Sequence, residues 1–263
     1  HSHCGKTSLI SGMLYTAGST NRFTRVDDGN TVTDYDDEER ERKLSIAAAM
    51  AFLEHSKTKL NLVDTPGFSL FIHEAKATMV AADSALVVVD GTSGVEVMTE
   101  KVWSYADEFK LPRAIVINKL DRELASFDRA LASVHEVFGR QAVPIQIPIG
   151  SEKSFRGVVD LIRMKAYVYE PGGNGKASEQ EIPAEMKDAA EEAHEALVEM
   201  VAEGDDALME KFFEEGTLPE ETIVEGLQEE LRHHQIIPVL CCSALANIGT
   251  DRIIDFCIRF LPS

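Results

Sequence analysis

Three features are scarce in this sequence: long apolar runs, cysteines and basic residues. No stretch of about 18 consecutive apolar residues occurs and no signal peptide opens the chain, so no membrane-spanning helix is predicted. The 4 cysteines show no zinc-ligand spacing, and the adjacent Cys241 and Cys242 fit a reduced compartment better than a disulfide framework. These absences predict a cytoplasmic protein that has no membrane partner.

The charge balance is strongly acidic. The 26 basic residues stand against 45 acidic ones, which gives a net charge of −19. A domain that clamps nucleic acid needs a basic face, so we predict no sequence-specific nucleic-acid partner. Residues 151–235 hold 22 acidic and 8 basic side chains and therefore carry −14 of that charge. The apolar fraction of 44% is still enough to build a packed core.

Strand and helix patterns alternate over the first 150 residues and again near the end of the chain. Continuous apolar runs, which are typical of strands buried on both faces of a parallel sheet, span 85–90, 114–118 and 236–241. Residues 47–54 and 58–63 indicate two more strands around a turn at Ser56. A helical stripe stops at Gly18 and consists of Leu9, Ile10, Met13, Leu14 and Ala17. This alternation predicts an α/β fold with a mostly parallel sheet and helices on both faces.

The acidic segment 151–235 is predicted to be an inserted α+β subdomain. It opens with a strand-like run over 155–169, continues through a flexible segment at 171–175, and becomes helical over 183–215. The ranges 1–150 and 236–263 then form one domain. Pro262 follows a helix predicted to end near Phe260, so we expect a linker and further domains after Ser263.

The first seven residues show the pattern of a phosphate-binding loop that lacks only its first small residue. Backbone N–H groups at the start of the following helix can surround a β-phosphate, and Lys6 can add positive charge across the phosphates. The Thr7 hydroxyl is placed to bind Mg²⁺. A strand is therefore expected before His1. By itself, a Gly-Lys-Thr triplet could equally be accidental.

Three further motifs follow predicted strands. The Asp64 carboxylate can hold a Mg²⁺-bound water and the Gly67 N–H can meet a γ-phosphate, although this motif is also ordinary turn chemistry. Asp121, in the motif that begins at Asn118, can accept two N–H bonds from guanine that adenine cannot supply; the alternative is a polar turn between a strand and a helix. A third motif fits a loop whose backbone contacts the guanine oxygen, and it consists of Ser243, Ala244 and Leu245.

The four motifs occur together and in order, each at the carboxyl end of a predicted strand, where open α/β sheets bind ligands. We therefore predict that the chain binds GTP or GDP. The guanine motif nearly excludes a metabolic kinase with a phosphate loop. The residues predicted to contact the nucleotide are His1, Ser2, His3, Cys4, Gly5, Lys6, Thr7, Ser8, Asp64, Thr65, Pro66, Gly67, Phe68, Asn118, Lys119, Leu120, Asp121, Ser243, Ala244 and Leu245.

Three other segments resemble elongation factor G, a translational GTPase. Residues 33–42 resemble its switch I, 94–103 look like the helix after its fourth strand, and 155–166 are similar to the start of its inserted subdomain. The 125 residues from Asn118 to Ser243 are consistent with that insertion. The resemblance covers the whole chain. It implies a GTP-hydrolysing enzyme that binds the ribosome, whose stalk protein would meet the acidic insertion.

Four positions depart from the family pattern. His3 stands where the family has Asp, Lys43 replaces a glycine near the γ-phosphate, and Ser45 replaces a threonine but keeps a hydroxyl. Phe68 replaces the histidine that positions the attacking water. The pattern therefore looks like a divergent elongation factor G-like paralogue.

Two hypotheses about function remain open at this point. In both, the resemblance implies Mg²⁺ held by Thr7, Ser45 and, through a water molecule, Asp64. The first is a ribosome-associated GTPase in which Lys6 stabilises the phosphates and activity is weak because of Phe68. The second is a GTP-gated module that binds the ribosome or another factor with little or no hydrolysis. The rate of turnover distinguishes them.

Overall fold

A parallel β-sheet lies at the centre of the structure, a computed structural model that describes residues 1–262 of the chain. Ser263, in the predicted linker, lies outside the described residues. The helices are α1 (Lys6–Thr16), α2 (Asp37–Arg42), α3 (Ile72–Met79), α4 (Val97–Glu108), α5 (Phe127–Phe138), α6 (Lys187–Ala202), α7 (Asp206–Glu215), α8 (Glu220–Arg232) and α9 (Thr250–Phe260). The strands are β1 (Ala49–His55), β2 (Thr58–Asp64), β3 (Ala85–Asp90), β4 (Arg113–Asn118), β5 (Ala142–Pro144), β6 (Gln146–Ile149), β7 (Gly157–Asp160), β8 (Lys165–Val168), β9 (Ser178–Gln180) and β10 (Ile237–Cys241).

The central sheet has the strand order β3-β4-β10-β5, and all of its neighbouring strands run parallel. Every residue of β4 is buried. Successive side chains point to opposite faces of a strand. Val88 and Val116 accordingly pack in one apolar cluster with Leu9 of α1, whereas Val87 and Ile115 pack in a second cluster that includes α5. The predicted α/β fold, with helices on both faces of the sheet, is confirmed.

Helix α1 follows the predicted stripe. Leu9, Ile10, Met13 and Leu14 are buried, and the helix ends at Thr16. Gly18 comes just after this end with a φ of +80°, a left-handed conformation that glycine adopts at low cost. Both the helix and its predicted stop are confirmed.

Strands β1 and β2 form an antiparallel hairpin of their own, in a register that sets Ala49 opposite Asp64. The turn residues Ser56 and Lys57 have φ values of +49° and +65°. Positive φ at both positions is the geometry of the turns that best join twisted strands. The hairpin was predicted, and it sets Asp64 at its open end.

The predicted strand 155–169 is wrong in one respect, because the segment is a hairpin. Strands β7 and β8 pair antiparallel across a reversal at residues 161–164. The Asp160 carboxylate stabilises this reversal by accepting hydrogen bonds from the backbone N–H groups of Ile162 at 2.9 Å and Arg163 at 3.0 Å. Residues 161–164 contain no Gly or Pro, so the sequence pattern carries no ordinary turn signal there.

The predicted helix 183–215 is also wrong in its extent. Helix α6 ends at Ala202, and α7 begins at Asp206 after a short break. The Asp205 side chain accepts a hydrogen bond from the backbone N–H of Ala207 at 2.8 Å and so starts a new helix as its N-cap. Gly204, a poor helix former, lies inside the break. A further helix, α8, follows before β10.

The insertion packs against the central sheet rather than standing apart from it. Leu197 of α6 and Leu227 of α8 share one apolar cluster with Leu240 of β10 and Ile254 of α9. The second sheet has the order β6-β7-β8-β9 and is antiparallel. Because β6 precedes residue 151, this sheet crosses the predicted domain boundary, and the division of the chain stays a prediction. Within residues 1–262, no helix is long and apolar enough to cross a membrane.

Candidate nucleotide-binding site

The phosphate loop turns into α1 through Gly5, which has a φ of +93°. The Lys6 ammonium group donates a hydrogen bond to the carbonyl oxygen of His1 at 2.8 Å and so lies over the loop. The side chains of Cys4 and Thr7 are buried beneath it, whereas Ser2 and Ser8 are half-buried. The loop thus gathers the start of α1 and a positive charge at one point, as an anion-binding site requires.

The loop after β2 lies directly on the phosphate loop. A Cβ atom added to Gly67 would come within 2.4 Å of the His1 carbonyl oxygen and 2.5 Å of the Lys6 Nζ atom. Both distances are shorter than any van der Waals contact, so only glycine fits there. The close approach brings the backbone of Gly67 beside the lysine predicted to contact phosphates. Thr65 is half-buried and Pro66 is buried in the same loop.

Side-chain oxygens of three segments meet next to Lys6. The hydroxyls of Thr7 and Ser45 are 3.2 Å apart, and Ser45 donates to Asp34 Oδ1 at 2.7 Å. Thr33 donates to Asp64 Oδ2 at 2.7 Å. Thr7, Thr33, Asp34 and Asp64 are all buried. Hydroxyl and carboxylate oxygens are the ligands that hard divalent cations prefer, so this cluster could hold such an ion.

The Asp64 carboxylate is buried, and only one of its two oxygens has a hydrogen-bond partner in the described part of the chain. Its Oδ1 atom has no hydrogen-bond partner among residues 1–262. Burial raises the pKa of this carboxyl group, although the hydrogen bond from Thr33 and the charge of Lys6 act in the opposite direction. A cation beside Oδ1 would favour the ionised form and remove the cost of leaving that oxygen unpaired.

Asn118 connects two of the predicted loops. Its side-chain Nδ2 atom donates to the Cys4 carbonyl oxygen at 2.8 Å. Its Oδ1 atom accepts from the Ala244 backbone N–H at 2.9 Å and from the Cys242 thiol at 3.3 Å. A Cβ atom on Gly5 would lie 2.4 Å from the same amide, so the loops are packed as closely as glycine allows. The side chain therefore positions the phosphate loop against the segment after β10.

Asp121 lies against the last motif. The Ser243 hydroxyl donates to Asp121 Oδ1 at 2.5 Å, which leaves the other carboxylate oxygen available. Lys119 donates to Asp90 Oδ2 at 2.6 Å, and this ion pair helps to lower the pKa of Asp90 against the opposing effect of burial. Leu120 is buried, and Leu245 is half-buried. The structure thus brings together the two motifs that are predicted to contact guanine.

Two of the residues that depart from the family pattern, Phe68 and His3, lie at the surface of this site. Phe68 follows Gly67 directly and is 37% exposed. His3 is exposed in the phosphate loop with a φ of +59°. A phenyl ring has no group that could hold water, so Phe68 supplies no hydrogen bond at its position.

Four supporting residues were missed by the sequence-based prediction of the site. Thr33 and Asp34 were predicted only to lie in a segment that resembles switch I, whereas the structure shows that Thr33 donates to Asp64 and that Asp34 accepts from Ser45. Asp90 ends a buried strand, which is the position that identified Asn118, so the same criterion could have found it. Cys242 was considered only for its redox state, whereas the structure shows that it is buried and that its thiol contacts the Asn118 side chain.

A phosphate loop at the start of a helix, with guanine-contacting motifs after parallel strands, defines a GTP-binding domain of the phosphate-loop class. The comparison with known families agrees: residues 1–263 match the elongation factor Tu GTP binding domain, and the chain belongs to this family. It is therefore a GTP-binding domain of the elongation factor Tu type.

One solved structure is similar over the full chain. It is a protein of Thermus thermophilus with 31% sequence identity and a TM-score of 0.92. The match covers 100% of this chain and 39% of that protein, so the chain spans well under half the length of this relative. The similarity includes the insertion as well as the central sheet.

Proposed function

We propose that this chain is the GTP-binding domain of an elongation factor G-like protein, in which the bound nucleotide controls the interaction with the ribosome. The observation that carries the proposal is the convergence of the loops on Asn118, together with an insertion whose start resembles that of elongation factor G. The test is ribosome binding by the full-length protein loaded with GDP or with a non-hydrolysable GTP analogue. A difference in affinity between the two nucleotide states supports the proposal, and equal affinity in both contradicts it. GTP turnover with and without ribosomes then distinguishes a GTPase from a module that hardly hydrolyses GTP.

Magnesium is the cation that best fits the oxygen cluster. Thr7 and Ser45 would bind it through their hydroxyls, and Asp64 would hold it through a water molecule. The unpartnered Asp64 Oδ1 atom and the absence of nitrogen or sulfur donors among these side chains support a hard cation. When bound, the ion would neutralise charge on the β- and γ-phosphates. GDP affinity that is unchanged by removal of Mg²⁺ with EDTA would contradict this assignment.

Selection of guanine rests on Asp121 in this proposal. Its carboxylate would accept hydrogen bonds from the imino and amino groups of the base, while Ser243 holds the carboxylate in place. Adenine offers no such pair of donors, so ATP would leave a charged acceptor unpaired. Lys119 would cover the base from the side, fixed by its ion pair with Asp90.

Hydrolysis is the least favoured step at this site. The attacking water needs a polar group to orient it in line with the γ-phosphate. Phe68 offers none, and His3 replaces an acidic residue in the phosphate loop. Lys6 can still stabilise the phosphates. The second candidate function, a GTP-gated module that binds the ribosome or another factor with little or no hydrolysis, is favoured by Phe68 alone.

The acidic insertion is proposed to contact the ribosomal stalk protein. Glu191 and Glu195 are exposed on α6 and would favour a basic partner through a salt-sensitive encounter. Deleting the insertion would remove Leu197 and Leu227 from the shared core, so charge reversal is the cleaner test. Replacing Glu191 and Glu195 by Lys should weaken stalk binding, whereas Glu136→Lys on α5 should not. Equal binding by all variants would exclude this face.

A further inference from the structure

The segment that is predicted to contact the guanine oxygen forms a closed turn over residues 243–248. The Ser243 N–H donates to the Ile248 carbonyl oxygen at 3.0 Å, and the Ile248 N–H donates to the Ser243 carbonyl oxygen at 2.9 Å. Within the turn, the Asn247 N–H donates to the Ala244 carbonyl oxygen at 3.3 Å. Because these bonds join the two ends of the turn, the position of Asn247 determines where Ser243 and Ala244 lie.

The Asn247 side chain connects this turn to the far end of α1. Asn247 is 5% exposed, and its Nδ2 atom donates to the Thr16 hydroxyl at 3.1 Å. Its Oδ1 atom lies 3.3 Å from the same hydroxyl, which donates to it. Thr16 is the last residue of α1, about 15 Å along the helix from Lys6. Since Asn118 already joins the turn to the phosphate loop, the turn is held near both ends of α1.

The backbone at Asn247 does not account for an asparagine there. Its φ of +56° lies in the left-handed region, which glycine adopts at lower cost. The side chain is also closely packed, because a Cβ atom added to Gly12 of α1 would lie 3.0 Å from Asn247 Oδ1. The hydrogen bonds to Thr16 are therefore the feature that requires an amide side chain at this position.

The insertion covers the pair formed by Thr16 and Asn247. Gly175 lies between β8 and β9, is buried, and has a φ of +76°. A Cβ atom there would come within 2.2 Å of both Thr16 Oγ1 and Asn247 Nδ2, so the backbone of the insertion rests directly on the pair. The nearby Ala177 N–H donates to Asp251 Oδ2 of α9 at 3.1 Å, which anchors this part of the insertion. Losing one member of a buried pair leaves the other polar group unpaired, which is costly.

We propose that Asn247 is a positioning residue for guanine binding. Through its pair with Thr16, which Gly175 of the insertion covers, it holds residues 243–245 at the distance from the phosphate loop that a bound guanine nucleotide needs. The inference rests on the proposed contact of residues 243–245 with guanine. Among variants of one binding site, most changes in affinity appear in the dissociation rate, so loss of the pair should speed the release of GDP.

Release of a fluorescent GDP analogue from the full-length protein tests the pair. Thr16→Val keeps the shape of the side chain but removes the hydroxyl, so GDP should dissociate about tenfold faster. Thr16→Ser keeps the hydroxyl and should dissociate GDP close to the natural rate. Asn247→Gly removes the amide at a φ that suits glycine and should match Thr16→Val. The double variant should be no faster than the faster single variant, because both changes remove the same interaction.

Thermal unfolding of the same variants separates positioning from stability. A lower Tm together with an unchanged rate of GDP release would show that the pair only supports the fold, and this would overturn the proposal. Competition with ADP tests the underlying guanine site in the natural protein. Equal affinity for ADP and GDP would refute the guanine contact itself, whereas a preference for GDP with unchanged release by the variants would refute only the role of Asn247.

Gly175→Ala tests the contribution of the insertion. The added methyl group would push into the pair, so GDP release should again accelerate about tenfold. Gly172→Ala is the matched control, since Gly172 lies in the same segment with a φ of +70°, but its added Cβ would meet no more distant residue within 4 Å among residues 1–262. Gly172→Ala should release GDP at the natural rate. Equal rates for the two variants would overturn the role of Gly175.

Hydrogen exchange of the natural protein decides the question if the variants do not fold. GDP binding should slow exchange of the backbone N–H groups in the turn 243–248 and also at residues 176–177, which follow Gly175. Slower exchange in the turn alone would contradict the proposed link to the insertion, and unchanged exchange in both segments would overturn the proposal.

Discussion

The side-chain amide of Asn118 donates a 2.8 Å hydrogen bond to the carbonyl oxygen of Cys4, which lies 114 residues earlier in the chain. The same amide accepts from Ala244 on the far side of the insertion. One buried side chain at the end of β4 thus joins the phosphate loop to the segment after β10. The interaction is local in space but distant in sequence, and it makes the geometry of the phosphate loop depend on the guanine motif.

The first prediction follows from this connection. Asn118→Ala should lower the free energy of unfolding by roughly 2–4 kcal/mol, because it leaves the Cys4 carbonyl and the Ala244 N–H unpaired in the interior. GDP affinity should fall at least tenfold. Urea unfolding and titration with a fluorescent GDP analogue measure the two effects. Asn61→Ala, at an exposed position of β2, is the control, and an equal loss in both variants would contradict the role of Asn118.

The second prediction concerns the choice of base. Asp121→Asn should weaken GTP binding about 10- to 100-fold, the range expected when hydrogen bonds to a charged group are lost. Xanthosine triphosphate should bind more tightly instead, because its 2-oxo group can accept from the new amide. Calorimetry with both nucleotides measures the change. Asp128→Asn on α5 should alter neither affinity. Equal affinity of the natural protein for ATP and GTP would refute the assignment.

The third prediction tests the weak hydrolysis. Phe68→His should raise the ribosome-stimulated rate of GTP hydrolysis by at least tenfold, because a positioned polar group contributes roughly 10²–10⁴-fold. Phe68→Leu is the matched control and should stay as slow as the natural protein, since leucine also lacks a hydrogen-bonding atom. Nucleotide affinity should change little in either variant. Fast multiple turnover by the natural protein would show that another group positions the water.

The fourth prediction is a pH dependence of stability that originates at Asp160. Burial raises the pKa of its carboxyl group in the folded state, so the folded protein binds this proton more tightly than the unfolded chain does. The associated stability is fully present below the unfolded pKa of an aspartate, about 3.9, and is lost as the pH rises through the folded value.

Asp160→Asn isolates this effect. The amide oxygen can still accept the hydrogen bonds from Ile162 and Arg163, but the group no longer ionises. Urea unfolding measured from about pH 4 upward should therefore show a smaller loss of stability in Asp160→Asn than in the natural protein. Asp188→Asn, on the exposed face of α6, should follow the natural protein. Identical pH profiles for all three proteins would show that Asp160 is ionised at little cost.

Several elements could be predicted because their signals are local. Strands β3, β4 and β10 are continuous apolar runs, which a parallel sheet covered on both faces requires. The stripe of α1 repeats with the helical period. The motifs after these strands could be placed at one edge of the sheet because parallel strands end together. No contact between distant residues had to be known for any of these predictions.

The insertion shows where local signals fail. The reversal between β7 and β8 depends on hydrogen bonds from Ile162 and Arg163 to the Asp160 side chain, and no Gly or Pro marks it. The break between α6 and α7 depends on capping by Asp205, in a stretch whose acidic residues otherwise suit one long helix. In both cases an aspartate side chain accepts hydrogen bonds from backbone N–H groups two and three residues later. These local hydrogen bonds end the regular strand or helix that the sequence pattern predicts.

The sequence by itself determined the class of fold, the four motifs and the preference for guanine, because each depends on residues that are adjacent or regularly spaced. Only the tertiary structure shows which distant residues hold the motifs in position. Thr33 reaches Asp64 from 31 residues away, and Ser243 reaches Asp121 from 122 residues away. Such contacts arise from the packing of whole elements, which no local pattern records.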